Sequence, residues 1–428
     1  MKKSIILSAI LFFALNNYAQ LGNILKRNAE QRTANASERG LDNLFKKKDK
    51  SKKASEQPKA GSENNSTTAN QPDAKNETAN AGSSLKTYSK YDFVPGEKII
   101  AYTDFLQDEI GDFPTHWNTN GSGEIMTVEG KPGKWLSTAK EGYYIPMFIN
   151  SLPDNFTFEY DVIFIPSATY KGPNTPPFAF QLVSMNKKIE AFKEFELTRA
   201  VFAIDPYLSD FYYESYTKDP TQTAGQLILK SSTTVDGLDK LHMHSYHVSV
   251  WRQKQRVRVY LNQNKVCDLP MVLNETEKYN TIRFKTDLNN DGSNWLISNL
   301  KLAIGAPDTR NKLMTEGKFS TTGILFDVNS ANIRAESYGT LKQIAQVLQD
   351  NAAVKIKIVG HTDSDGDDAA NLSLSKQRAD AVKESLIKEF GIDVSRMQTD
   401  GKGESQPAAP NTSQEGKAQN RRVEFIKI

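Results

Sequence analysis

The stretch GHTDSDGDDAANLSLSKQRADAV, from Gly360 to Val382, decides how the end of this chain folds. Just before it, Val354 to Val359 (VKIKIV) has the alternation of a strand, so Asp363 stands close to that strand's end. From about Asn371 the spacing changes to that of a helix. Ala379, Val382, Leu386 and Phe390 mark its apolar face, while Asn371, Ser375 and Arg378 fall at i, i+4 and i+7 on one other face. A carboxylate at Asp363 and a guanidinium at Arg378, beside the amides of a helix N-terminus, suit a small zwitterion. Asp363 would take its ammonium, and Arg378 with the amides its carboxylate. The plain alternative is an Asp363–Arg378 salt bridge that only ties loop to helix.

Working outward, Leu341, Ile344, Ala345 and Leu348 recur at helical spacing, and Gly323 to Val328 reads as a first strand. Arg396 to Gly401 and Val423 to Ile428 supply closing strands. The expectation for residues 322–428 is therefore an α/β unit of order βαβαββ, with helices layered on one sheet. Residues 306–321 read as a connector.

This segment resembles the OmpA-like family, shared by peptidoglycan-associated lipoproteins and flagellar stator proteins. The family core is G-H-T-D, a Gly-containing loop, then N-x-x-L-S-x-x-R-A. Here those positions are Gly360 to Asp363, Gly366, Asn371, Leu374, Ser375, Arg378 and Ala379. FDVNSANI (Phe326 to Ile333) and NRRVEF (Asn420 to Phe425) match on either side. The resemblance implies non-covalent binding of peptidoglycan, whose diaminopimelate side chain ends in the zwitterion described above. It implies that Asp363 and Arg378 carry recognition, with Asn371 and Thr362 beside them and Asn329 and Arg421 at the pocket rim. His361 would shape the loop. One departure is the acidic run Asp365, Asp367 and Asp368, which adds negative charge beside the site and is a candidate set for a cation.

Residues 91–305 differ in character. Phe156, Phe158, Tyr160, Val162 and Phe164 alternate with Thr157, Glu159 and Asp161, and the pattern returns around Val248–Val250 and Val257–Leu261. Short strands without a long helix indicate an all-β antiparallel sandwich or jelly roll. DFLQDEIGDFPTHW, FTFEYDVIF and YHVSVWRQKQRVRVYLNQNKVCDLP resemble strands of concanavalin-like (laminin-G-like) sandwiches. That implies two sheets and leaves the ligand open, a glycan or an envelope protein.

The N-terminus, MKKSIILSAILFFALNNYAQ, has a charged start, an apolar run too short to span a bilayer and a small residue before a cut, so residues 1–19 read as a signal peptide. Residues 20–90 are poor in large apolar side chains and read as a disordered linker. In 428 residues a net charge of +3 argues against nucleic acid, and the one cysteine, Cys267, excludes an intrachain disulfide and reads as a buried small hydrophobe.

Three weaker signals are discounted. Asp287, Asn289, Asp291 and Gly292 open like a calcium loop, but Ser298 stands where a bidentate Glu is needed. In His242-x-His244-x-x-His247 the third histidine points away from the first two on a strand. Glu194 and Glu196 are the best acids for a glycan hydrolase, yet they lack a spaced partner. The expectation is thus a non-enzymatic envelope anchor without cofactor or metal, exported to the periplasm and associated with the outer membrane and wall. The rivals are an integral outer-membrane barrel, for which polar gaps such as KSSTTVDGLDK leave too few spanning strands, and a hydrolase.

Overall fold

The run NFTFEYDVIFI forms an eleven-residue strand, Asn155–Ile165, whose aromatic residues enter a core between two sheets. The computed structural model describes residues 91–428 apart from 139, 150, 169–174, 186–187, 194–195, 219–220, 222–224, 239–244, 288–291, 306–308 and 310–311. The signal and linker readings, His242, His244, Asn289, Asp291 and Glu194 lie outside the described residues.

The strands of the first part are β1 (Lys98–Thr103), β2 (Trp117–Thr119), β3 (Ile125–Val128), β4 (Lys131–Ser137), β5 (Gly142–Pro146), β6 (Asn155–Ile165), β7 (Phe178–Ser184) and β8 (Thr198–Asp205). They continue with β9 (Asp210–Thr217), β10 (Gln226–Thr234), β11 (Ser245–Gln253), β12 (Arg256–Leu261), β13 (Asn264–Leu269), β14 (Thr281–Thr286) and β15 (Asn294–Ile304). One sheet has the order β13-β12-β11-β6-β15-β4-β3 with β1 also on β15, and the other β10-β9-β8-β7-β14-β5-β2. Their facing rows interlock: Phe158 stacks on Phe180 at 5.4 Å, Phe178 packs on Trp295 at 5.3 Å, and Tyr160 meets Phe284 edge-on at 5.1 Å. Each such buried ring contributes about 1.5–3 kcal/mol, so the aromatic alternation alone is a strong reason for the two sheets to close on each other. Cys267 is buried among these residues, and burial pushes its thiol up to about 12.

The polar members of the β6 alternation do not face solvent. Thr157, Glu159 and Asp161 are buried, because the segment at Tyr91 and Phe93 and the chain near Arg334 and Tyr338 cover that side of the sheet. The buried charges are paired: His247 Nδ1 lies 2.7 Å from Asp161, its Nε2 3.3 Å from Glu159, and Lys301 Nζ 3.0 Å from Glu159. Asn299 Nδ2 donates to Asp161 at 2.7 Å, and Arg334 reaches the same carboxylate at 3.7 Å. Burial by itself lowers the His247 pKa, but the hydrogen bonds to Asp161 and Glu159 outweigh it and raise the value to about 9.

The C-terminal part comprises β16 (Lys318–Thr321), α1 (Tyr338–Asp350), β17 (Ile356–Gly360), α2 (Asp368–Phe390), β18 (Met397–Gly401), α3 (Gln414–Asn420) and β19 (Val423–Lys427). Its sheet has the order β16-β19-β17-β18, with β17 and β18 parallel and the other pairs antiparallel. The expected order βαβαββ needs two corrections. Gly323 to Val328 is not a strand, since only Phe326 pairs, in an isolated bridge to Ile333. The edge strand comes earlier, where Phe319 stacks on Phe425 of β19 at 5.1 Å. The second correction is the short helix α3, started by Ser413, whose Oγ accepts from Gly416 N at 3.0 Å.

Both long helices bury the faces read from their spacing: Leu341, Ile344 and Leu348 on α1, and Ala379, Val382 and Leu386 on α2. α2 crosses the ends of β17 and β18 at two glycines. A Cβ on Gly360 would stand 2.0 Å from Ser375 O, and one on Gly401 2.5 Å from Lys376 N. This approach sets how far Asp363 lies from the helix.

Two outcomes are expected. Gly360→Ala should destabilise the C-terminal unit by about 1–3 kcal/mol through overpacking, read by thermal melting; an unchanged midpoint would contradict the close approach. His247→Gln should cost about 3–5 kcal/mol near pH 6 in denaturant titration. Because the folded pKa is raised above the unfolded value of about 6.5, this contribution is complete below that value and is lost as pH rises through about 9. A gap between wild type and variant that stays constant to pH 10 would contradict the ion-paired assignment.

Candidate functional site

The loop after β17 is held from both sides before it reaches Asp363. His361 N donates to Arg422 O at 3.0 Å and Thr362 N to Gly403 O at 2.9 Å. Asn371, buried in the first turn of α2, donates through Nδ2 to Asp365 O at 3.0 Å and to Glu404 Oε2 at 2.8 Å, with Asp363 O at 3.4 Å. Thr362 and His361 are buried below the loop. The Thr362 hydroxyl has no hydrogen-bond partner among the described residues, and His361 Nε2 lies 3.7 Å from Glu424.

The Asp363 carboxylate is engaged by the chain itself. Its Oδ2 accepts from Arg421 Nη1 at 2.5 Å, and its Oδ1 accepts from Asp365 N at 3.1 Å. Asp363 remains 11% exposed and Arg421 34%, so the pair is open at the surface. The Asp363–Arg378 salt bridge considered from sequence does not form. Arg378 lies along the loop after β16 instead: its Nε donates to Ser330 O at 3.0 Å and its guanidinium lies over the Phe326 ring at 4.9 Å. Among the described residues no carboxylate forms an ion pair with it. Burial lowers the Arg378 pKa, the nearby Arg421 guanidinium lowers it further, and Asp363 opposes both. Asn329 sits exposed at the tip of the same loop with φ of 52°, a left-handed conformation that asparagine tolerates.

A second expectation is corrected at the helix start. The Asp367 side chain accepts from Ala369 N and Ala370 N, both at 3.0 Å, so these α2 amides are already capped. A ligand carboxylate must therefore look to the guanidinium groups. The acidic run is likewise engaged in part: Asp365 pairs with Lys417 at 2.6 Å, and Asp368 lies in the first turn of α2, where negative charge suits the helix dipole.

The structure thus brings Asp363, Arg378, Asn371 and Arg421 together, with Asn329 at the rim and Thr362 beneath. Sequence reasoning missed Lys417, Glu404 and Tyr102. Tyr102 is on β1 of the sandwich, and the Arg421 guanidinium lies over its ring at 5.2 Å. No local pattern marks these residues, since each meets the site only through tertiary packing. Elsewhere, Glu196 is half exposed and ion-paired with Lys193, and His247 belongs to the buried cluster on β6.

Residues 325–421 match the model of the OmpA family. The chain is 44% identical over 102 residues to the probable lipoprotein YiaD of Escherichia coli, covering 24% of this chain and 46% of that protein. It is 40% identical over 101 residues to outer membrane porin F of Pseudomonas aeruginosa, covering 24% and 29%. Among solved structures it is similar to the peptidoglycan-associated lipoprotein from Burkholderia pseudomallei, with 30% identity, 26% of this chain and 89% of that chain covered, and a TM-score of 0.23. The chain spans less than half the length of these two curated relatives. On the family match and the motif positions, the segment 325–421 of this chain belongs to the OmpA family.

Proposed function

We propose that this chain is a non-catalytic anchor of the cell envelope that holds peptidoglycan without a covalent bond. The observation that carries this reading is the Arg378 guanidinium, fixed by Ser330 O and Phe326 but not neutralised, beside an Asp363 carboxylate that is still reachable. A half-buried cation without an anion is an unfavourable arrangement that a ligand carboxylate relieves. The diaminopimelate end of a stem peptide offers that carboxylate and an ammonium on one carbon. Its carboxylate goes to Arg378 and Arg421, and its ammonium to Asp363, which then shares its charge between Arg421 and the ligand. Asn371 fixes the loop that carries Asp363, Thr362 packs beneath it, and Asn329 lines the rim.

The wall-binding unit is assigned to residues 322–428 together with the edge strand β16 (Lys318–Thr321), which lies at the end of the 306–321 stretch read as a connector. The names of two relatives support an envelope setting: outer membrane porin F and outer-membrane lipoprotein YfiB, both of Pseudomonas aeruginosa. Reading residues 1–19 as a signal agrees with export to the periplasm. We assign the sandwich at 91–305 to a concanavalin-like jelly roll that meets a glycan or an envelope protein. Its strands lie in two facing sheets with a filled aromatic interior, which favours a soluble module over a membrane cylinder.

The test is sedimentation of the purified chain with insoluble peptidoglycan sacculi. Wild type is expected in the pellet, and Asp363→Ala and Arg378→Ala at least about tenfold weaker, since hydrogen bonds to charged groups are worth about 1.5–3 kcal/mol. Wild type left in the supernatant, or both variants sedimenting like wild type, would overturn the reading.

A further inference from the structure

The Arg421 side chain projects from the end of α3, and α3 is seated on the sandwich. Gln419 clasps the backbone of β1 in both directions: Ile99 N donates to Gln419 Oε1 at 2.9 Å, and Gln419 Nε2 donates to Glu97 O at 3.0 Å. Ala418 packs with Ile99 and Ala303, and Tyr102 closes the same small apolar cluster. Lys312, ahead of β16, forms an ion pair with Glu97. Next to this contact the Tyr102 ring lies under the Arg421 guanidinium at 5.2 Å, while its hydroxyl donates to Asp104 Oδ2 at 3.4 Å. Asp104 is itself held, with Oδ1 accepting from Leu106 N at 3.1 Å. A chain of contacts therefore runs from Asp104 through Tyr102 and Arg421 to Asp363, half of it on the sandwich and half on the OmpA family segment.

An arginine at a partly exposed position has many rotamers, and a flat ring beneath its guanidinium removes most of them while leaving the N–H edge free. Arg421 makes its direct hydrogen bond to Asp363 from that restrained position. We propose that Tyr102, through its ring, is a positioning residue for Arg421, so that the stem-peptide site is completed by the sandwich and wall recognition is a joint property of both parts. This rests on the stem-peptide reading above. It gives the sandwich a role in the wall site besides whatever it binds elsewhere.

The test uses the full chain and a soluble muropeptide containing meso-diaminopimelate, with affinity from calorimetry and Arg421 guanidinium proton exchange from nitrogen-15 NMR. Tyr102→Phe keeps the ring and should bind within about twofold of wild type; Tyr102→Leu removes it and should bind about three- to tenfold more weakly, with faster Arg421 exchange. Gln419→Ala, which loosens α3 from β1 without touching the ring, should shift both readouts in the same direction and serves if Tyr102→Leu does not fold. Wild-type affinity or wild-type Arg421 exchange in Tyr102→Leu, or in Gln419→Ala when that variant replaces it, would overturn the inference. If wild type itself fails to bind the muropeptide, the stem-peptide reading falls. The exchange measurement then decides separately whether Tyr102 positions Arg421.

Discussion

The ion pair between Asp363 and Arg421 joins the loop after β17 to the turn between α3 and β19, 58 residues further along the chain. Neither charge is free to leave this contact cheaply. Asp363 has lost most of its access to water, and Arg421 is stacked on an aromatic ring. A pair in this intermediate setting holds both groups in place yet can still exchange partners with a ligand, which a fully buried pair would not do. Its geometry depends on backbone that cannot shift: the glycine crossings of α2 over β17 and β18, and the hydrogen bonds that fix His361 and Thr362.

From that pair the logic of the site extends outward. Asp363 is oriented by Asp365 N, the loop by Asn371, and Arg378 by a carbonyl and a ring rather than by a carboxylate. The result is one guanidinium paired with a reachable carboxylate and a second, unpaired by any carboxylate among the described residues, held nearby, the arrangement on which the proposed recognition of a zwitterion rests. The docking of α3 on β1 means that the same arrangement is supported from outside the family segment. The buried charges around His247 strengthen that contact, because Arg334 from the C-terminal part shares Asp161 with them.

Much of this was legible in the sequence where the determinants are local. The aromatic alternation of β6 and the apolar faces of α1 and α2 follow from periodicity, and the nearness of Asp363, Asn371 and Arg378 from their spacing, whereas Arg421 was expected beside them only from the family resemblance. What was not legible depends on long-range packing. Glu159 and Asp161 occupy positions that a period-two pattern assigns to solvent, but the segment at Tyr91 and Phe93 and the chain near Arg334 and Tyr338 cover them. The choice of Arg421 over Arg378 as partner for Asp363 turns on the loop after β16, whose Phe326 and Ser330 hold Arg378 away. The Asp367 cap was within reach of sequence reasoning, since an aspartate at the start of a helix takes its first amides, and it redirects the ligand carboxylate to the arginines.

The central claim is that the arginines read the distal carboxylate of diaminopimelate. The most direct measurement compares two stem peptides that differ only there, one with meso-diaminopimelate and one with lysine, for wild type and Arg378→Ala. The account predicts that wild type prefers the diaminopimelate peptide by about tenfold or more, and that Arg378→Ala brings the two affinities together. Equal affinity of wild type for both peptides, or a preference that survives in Arg378→Ala, would contradict it.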